Sequence, residues 1–399
     1  MSSRPASRST WMRSPEGRKR LMNDVMAVVY TSKDDLTLRE LTSQRAVAAI
    51  PVAGRYRIID FTLSNLVNSS VRNVGIIAQK NYHSLMDHIG SGKEWDLHTR
   101  NNGLFILPPY LTRENGGEYT GVVDALRANF DYLRRSQQKY VIVTNSDFIM
   151  NTSYEPMIKK HIESGADITL MYKKVAPTDL DYSSSSSHTH AFLNVAEDGT
   201  VTDMEVNPNA ASYDNLFIDV LVMKRTLLIH IIDQAISHGA KSLEADVLYP
   251  YIVSRALNIT GYEMHGYYRR IETIKSYFNF NLDLLNYDVR KELFVDRPVY
   301  TKTRDEVPAI YREGAQVRNS LVADGCVIEG SVENCILFRG VQVKRGAKLK
   351  NCIIMQDTDV EEFVELENVI LDKDVTVRSH GRMIGERMYP IVIGKGVTL

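Results

Sequence analysis

The chain has 399 residues, of which 44% are hydrophobic and 24% charged, and its formal net charge is −1. That length exceeds what one hydrophobic core usually supports and predicts two domains. The balanced charge excludes a global field for nucleic acid or membrane, and no apolar run approaches the ~20 residues a membrane helix needs. The three cysteines, Cys326, Cys335 and Cys352, all fall late and lack a CxxC spacing. They are expected to be buried thiols of a reducing cytoplasm, filling a core, and not a disulfide framework.

In chain order, residues 1–21 come first. The opening twenty carry five arginines and one lysine against one glutamate, with no apolar periodicity. This composition predicts a disordered or expression-derived tail ahead of a start near Met22; a nucleic-acid-binding arm is the sharper alternative, unsupported elsewhere in the chain. From 22 to about 290, short apolar runs alternate with helical patterns. "VMAVVY" (Val25–Tyr30), Val74–Gln79, Tyr140–Asp147 and Asp167–Lys174 read as buried strands of a parallel sheet. Asp60–Ser70 places Phe61, Leu63, Leu66 and Val67 near one helical face, and "GVVDALRANFDYLRR" repeats the pattern with Val122, Leu126, Phe130 and Leu133. This alternation predicts a doubly wound α/β sheet with its ligand site beyond the carboxyl ends of the strands, after Tyr30, Gln79 and Ser146. Five serines, 183–187, read as a loop, and strand-like runs around Asp198-Gly199 read as a hairpin.

From 298 to 399 the pattern changes. Asparagines at 319, 334, 351 and 368, spaced 15, 17 and 17 residues apart, are each followed by a small or apolar pair, with glycine or aspartate turns between short strands. A fixed period of three short strands predicts a parallel β-helix, with each asparagine at a left-handed corner; a β-sandwich is the ordinary alternative.

The block "GRYRIIDFTLSNLVNSSVRNVGIIAQ" (Gly54–Gln79), "HSLMDHI" (His83–Ile89), "GVVDAL" (Gly121–Leu126) and the terminal hexapeptide-type repeats resemble bacterial ADP-glucose pyrophosphorylase, glucose-1-phosphate adenylyltransferase. The resemblance implies a nucleotidyltransferase domain with a Rossmann-like mixed sheet, then a left-handed β-helix, assembled as a tetramer. It implies adenylyl transfer from ATP to glucose 1-phosphate in glycogen synthesis, with pyrophosphate released. Such chemistry needs donors and cations around the triphosphate and a few carboxylates for Mg²⁺.

Laid on the family pattern, the charged positions depart. The glycine-rich loop falls on Ser32–Leu38, with Ser32, Lys33 and Asp35 for its glycines and Asp34 and Thr37 for its arginines. The lysine of the next segment is Val47. Asp147 keeps the first metal carboxylate, but Arg270 and Glu272 stand where the family has aspartate and glycine, and the sugar-phosphate lysine has no counterpart in Met204–Pro208. Losing one preorganised donor typically costs about 2.7–4 kcal/mol in the transition state. Several losses together imply a catalytic site that is not intact at Asp34, Thr37, Val47 and Arg270, with Asp147 a half site for metal. An ion pair between Arg270 and Asp147, filling the metal position, is expected.

The departures resemble the regulatory-type D subunit that some bacteria pair with a catalytic subunit. The expectations are therefore a cytoplasmic, allosteric partner in a hetero-oligomer, or a self-associating one. It would need no cofactor itself, the Mg²⁺ belonging to the catalytic partner. Nucleotide-binding remnants are expected at Gln79, Gly121 and Asp124, and a phosphorylated effector at Arg45, Arg55 and Arg57, since arginine grips phosphate bidentately. Alternatives are a weakly active nucleotidyltransferase and a stand-alone sugar-phosphate sensor. His83 and His88, five apart, suit packing better than metal ligation. His380 raises the histidine-dependent acyltransferases of hexapeptide coils, which have no use for so long an α/β half.

Overall fold

The computed structural model describes residues 21–31, 36–79, 81–99, 102–109, 119–175 and 189–399. The expected tail up to residue 20, residues 32–35 with Asp34, and the serine run lie outside them. Strand β1 (Val25–Tyr30) is buried throughout. It pairs in parallel with β2 (Asn73–Ile77) and, on its other side, with β4 (Tyr140–Asn145); β3 (Leu104–Leu107) extends the sheet beyond β2. The continuous apolar runs reflect burial on both faces. Helix α1 (Ile58–Asn68) and α2 (His83–Ile89) belong to this half. The predicted helix from Gly121 is two, α3 (Val122–Ala128) and α4 (Phe130–Arg135). The break falls at Asn129, whose side-chain amide donates to the Ala125 carbonyl at 2.8 Å and to the Tyr119 hydroxyl at 3.3 Å, competing with the helical ladder.

The second half turns the sheet mixed. Helix α5 (Glu155–Ser164) leads to β5 (Ile168–Lys174), and β6 (Ala191–Val195) with β7 (Val201–Val206) forms the hairpin expected around Asp198-Gly199. Strand β8 (Asn215–Lys224) runs antiparallel to β4 and β5 and, at its start, to the middle of β6, and β9 (Ile259–Glu263) closes the nine-stranded sheet beside β5. The register of β8 shifts between Phe217 and Val220, a bulge that holds Asp219 at φ 55°. Helix α6 (Arg225–Ser237) packs on the face that β8 leaves. A two-residue ribbon pairs Phe148–Ile149 with Arg269–Arg270 just past the end of β4. Helices α7 (Tyr249–Ser254), α8 (Ile274–Asp283) and α9 (Tyr287–Phe294) complete the domain. No helix among the described residues is long and apolar enough to cross a membrane.

The left-handed coil begins at Ile310, after a connection over 295–309, and stacks three five-stranded parallel sheets. The four asparagines have φ between 42° and 53°, and their side chains ladder, Asn319 to Asn334 at 2.7 Å and Asn351 to Asn368 at 3.2 Å. The exposed His380 is another left-handed corner, stacked on Phe363. The three cysteines are buried and unpaired by disulfides.

One sheet of the coil is buried on both faces. Leu337, Ile354 and Leu371 point into the coil, while their neighbours Ile336, Ile353 and Ile370 pack with Val47, Ile50, Phe61, Tyr277 and Phe278 of the α/β domain. The alternation follows from the two-residue period of a strand. Phe338 and Met355, on successive rungs, join the same contact, and the next residue of that column is Asp372. Arg45 meets it with a bidentate pair at 2.9 and 3.0 Å, both side chains almost fully buried.

Asp372→Ala leaves the Arg45 charge buried without its partner, and unfolding in denaturant should show a loss of about 3–5 kcal/mol; the paired replacement Arg45→Met with Asp372→Leu should recover most of it. Equal stability of the single and paired variants would show that the pair does not tie the domains.

Candidate functional site

The carboxyl ends of β1 and β4 lie beside the ribbon and the β8 bulge. Beyond β4, Asp147 is fully buried; its Oδ2 accepts from the Asn145 amide at 2.9 Å, and its carbonyl accepts from the Ile271 N–H at 2.8 Å. The ribbon brings Arg270 alongside. Arg270 Nε lies 3.5 Å from Asp147 Oδ1 and 4.0 Å from Glu272 Oε1, and Nη2 donates to Asp219 Oδ2. Burial opposes the guanidinium charge, but Asp219, Asp147 and Glu272 more than offset it and hold the pKa well above the usual arginine value. The expected Arg270–Asp147 pair is thus present, and Asp219 joins it.

Further carboxylates close around this pair. Glu272 Oε2 is 3.1 Å from His190 Nε2, while the backbone carbonyl of Glu272 accepts from the Thr37 hydroxyl. Burial, together with the negative charge of Asp219, pushes the Glu244 carboxyl up to about 7, although the Ser242 hydroxyl bonds to it at 2.7 Å. The same surroundings, burial first and then Asp219, Glu244 and Asp147, push the Tyr30 phenol up. Magnesium needs a near-octahedral shell of oxygens with several waters. These residues do not fit it, because the positive guanidinium lies against the carboxylates of both Asp147 and Asp219. Among the described residues no group of three or more His, Cys, Asp or Glu side chains is arranged for a metal.

The other sequence candidates scatter. Val47 is 1% exposed and packs in the interdomain core, so the lysine of the family pattern is replaced by a packing residue. Gln79 is half-buried beyond the end of β2. Gly121 is explained by a close approach, since a Cβ there would lie 2.3 Å from the Lys241 carbonyl oxygen. Asp124 accepts from the Thr120 N–H at 3.0 Å and shapes the turn before α3. His83 stacks on Tyr82, and His88 is buried against Asp60 at 2.5 Å.

The three arginines proposed together divide. Arg45 is committed to Asp372. Arg55 and Arg57 instead line a cavity of about 320 Å³ between the domains. A tight hairpin, Pro51–Val52 with Tyr56–Arg57, turns through Ala53 and Gly54 at positive φ and presents both side chains. The coil contributes one column of successive rungs, Arg339, Gln356 and Lys373, and the connection adds Lys302 and Arg304. Asp87 is the one carboxylate in this lining.

The cations therefore perturb one another. Burial, with Arg57 and Arg45 nearby, pushes the Lys373 ammonium down to about 7. Arg57, whose Nη1 donates to the Ser84 carbonyl at 2.6 Å and hydroxyl at 2.7 Å, is pulled down to about 10, mainly by burial. Arg339 is lowered by burial and by Arg304. Asp219, Glu244, Lys302, Arg304, Arg339 and Lys373 escaped the motif comparison. Asp219 had a signal, a lone carboxylate inside the apolar run "LFIDVLV", and so did Asp372, polar where earlier rungs carry Phe338 and Met355.

Comparison with known proteins agrees with this architecture. Residues 37–180 match the nucleotidyl transferase family, and residues 307–389 match the GlmU-like C-terminal hexapeptide family. The chain is 37% identical to the glycogen biosynthesis protein GlgD of Bacillus subtilis (strain 168), over 94% of this chain and 97% of that protein. It is 34% identical to the protein of the same name from Geobacillus stearothermophilus, over 82% of each chain. It is 32% identical to the glucose-1-phosphate adenylyltransferase of Halalkalibacterium halodurans, over 81% of this chain and 83% of that one. With two domains in the same order and similarity along nearly the whole chain, the protein belongs to the family of glycogen biosynthesis proteins related to glucose-1-phosphate adenylyltransferase.

Proposed function

We propose that this chain is a regulatory, largely non-catalytic subunit of a cytoplasmic glucose-1-phosphate adenylyltransferase, the enzyme that converts ATP and glucose 1-phosphate to ADP-glucose and pyrophosphate. The observation that carries the proposal is the interdomain cavity, with six cationic side chains from the hairpin, the connection and the coil around one small volume. Six cations against one carboxylate in the lining favour a multiply charged anion, and a phosphorylated metabolite supplies both the charge and the acceptors for arginine forks. Because both domains line the cavity, its occupant bears on how they are held together. The catalytic partner supplies Mg²⁺ and the triphosphate cradle, and the chains associate as a hetero-oligomer, with the coil and apolar helix faces as contacts.

Two features support catalytic silence. Val47 offers no charge to a phosphate, and Arg270 fills the space between Asp147 and Asp219. The homogeneous protein, assayed for pyrophosphate release from ATP and glucose 1-phosphate with Mg²⁺, should run at least about 10²-fold below a catalytic family member, the loss expected for one missing donor. Comparable turnover would favour an independently active enzyme.

The cavity carries a pH signature. Without an anion, Lys373 is protonated in both folded and unfolded chains below about 7, and above that value the folded chain loses the proton first. A bound anion restores it, so binding takes up a proton, and affinity falls as pH rises through this range. Inorganic sulfate, whose charge is constant here, is the suitable probe. Calorimetry in buffers of different ionisation enthalpy should show uptake near neutrality, absent in Lys373→Met. Arg57→Ala should weaken sulfate about 10-fold or more, the worth of a charge-assisted hydrogen bond. Binding unaffected by either change would remove the cavity from the account.

A further inference from the structure

A second and larger cleft, of about 1040 Å³, lies at the amino ends of β1, β2 and β4, with β3 and α4 contributing its walls. Among the described residues that line it, six carry side-chain amides and none is a lysine or glutamate, the side chains that ordinarily solvate a surface. Its charges are Asp24, Asp131 and Arg135. The floor is held by a chain of hydrogen bonds. The Tyr132 hydroxyl donates to Asn73 Oδ1 at 2.9 Å, the Asn73 amide to Gln138 Oε1 at 2.8 Å, and the Gln138 amide to Asn102 Oδ1 at 3.2 Å. Asn73 and Gln138 are almost fully buried. Tyr132 is seated over Gly75, where a Cβ would lie 2.5 Å from the ring. Phe105 packs beside Tyr132 with ring centroids 5.4 Å apart, yet 43% of its surface stays exposed.

We propose that this cleft binds a neutral oligosaccharide. A sugar hydroxyl both donates and accepts, so a neighbouring pair of hydroxyls matches the adjacent carbonyl and N–H groups of an amide. The hydrogen-bonded chain uses one N–H of Gln138 and leaves the second, so the floor offers bonding groups at fixed positions. The C–H face of a pyranose ring is apolar and packs on an aromatic ring, and Phe105 supplies an exposed one in the lining. Two aspartates against one arginine disfavour a phosphorylated ligand, and an apolar ligand would leave the amides without partners. The volume reaches the top of the roughly 300–1,000 Å³ range of small-ligand sites, which suits several linked sugar units over a single one. The cleft shares no lining residue with the interdomain cavity, so the proposal stands or falls apart from the function proposed above.

The probes are maltohexaose and cellohexaose, neutral glucose oligomers of different linkage, followed on the full chain by saturation-transfer nuclear magnetic resonance and by calorimetry. The expected result is saturable binding of at least one of them, weakened about tenfold or more in Phe105→Ala, equivalent to about 1.4 kcal/mol. Gln137→Ala removes one amide and should weaken binding about threefold or more, the worth of one hydrogen bond. Both side chains are exposed, so neither change threatens the fold. Sulfate binding in the interdomain cavity should be the same in Phe105→Ala as in wild type, which separates the two sites. Absence of saturable binding for both oligosaccharides would overturn the proposal. So would binding that keeps its wild-type affinity in both variants.

Discussion

The joint between the two domains depends on a charge pair that water cannot reach. Arg45 and Asp372 lie in an otherwise apolar contact, and each is tolerable there only because the other is present. A buried ion pair contributes modestly when compared with packed hydrocarbon, but it is strict about geometry: the bidentate fork permits one orientation of the coil against the α/β domain. That orientation places Lys373, the next residue along the rung, beside the hairpin arginines. The pairing that fixes the joint thereby also fixes the cavity.

The same constraint, applied at three places, gives three outcomes. At the joint a cation and an anion from different domains cancel. At the carboxyl ends of the strands one arginine meets several carboxylates among the described residues, and burial, with Asp219 beside it, raises the Glu244 carboxyl to about 7. In the cavity the excess is positive, and the Lys373 ammonium falls to about 7. On the function proposed above, the third environment is the one that attracts a phosphorylated ligand. The scaffold of a nucleotidyltransferase is retained, and the proposed function places its phosphate-favouring surface at the interdomain contact.

Much of this was legible in the sequence, and the reasons are physical. Continuous apolar runs such as Val25–Tyr30 identify doubly covered strands, and the asparagine corners of the coil announce left-handed dihedrals that few residues adopt. Arg270 was legible as a change of charge against the family pattern. The break at Asn129 was not, because its side-chain competition with the helix interrupts neither the apolar spacing nor the composition. Nor was the bulge at Asp219, where a register shift is decided by both neighbouring strands. The cavity escaped because its walls come from residues more than 200 positions apart, which no local pattern relates. The domain contact did leave a trace: "CILF" and "CIIM" are unbroken apolar stretches, whereas "VQVK" and "KLKN" alternate, and only a sheet covered on both faces needs the former.

The central claim is that anion binding in the interdomain cavity of this chain governs a catalytic partner. Its most direct test is pyrophosphate release by the complex reconstituted with the catalytic homologue of the same cell, titrated with phosphorylated metabolites. The account predicts that the complex responds to such an effector differently from the catalytic subunit alone, and that the difference is lost when this chain alone carries Arg57→Ala and Lys373→Met. An identical effector response with wild-type chain, altered chain or no chain at all would contradict it.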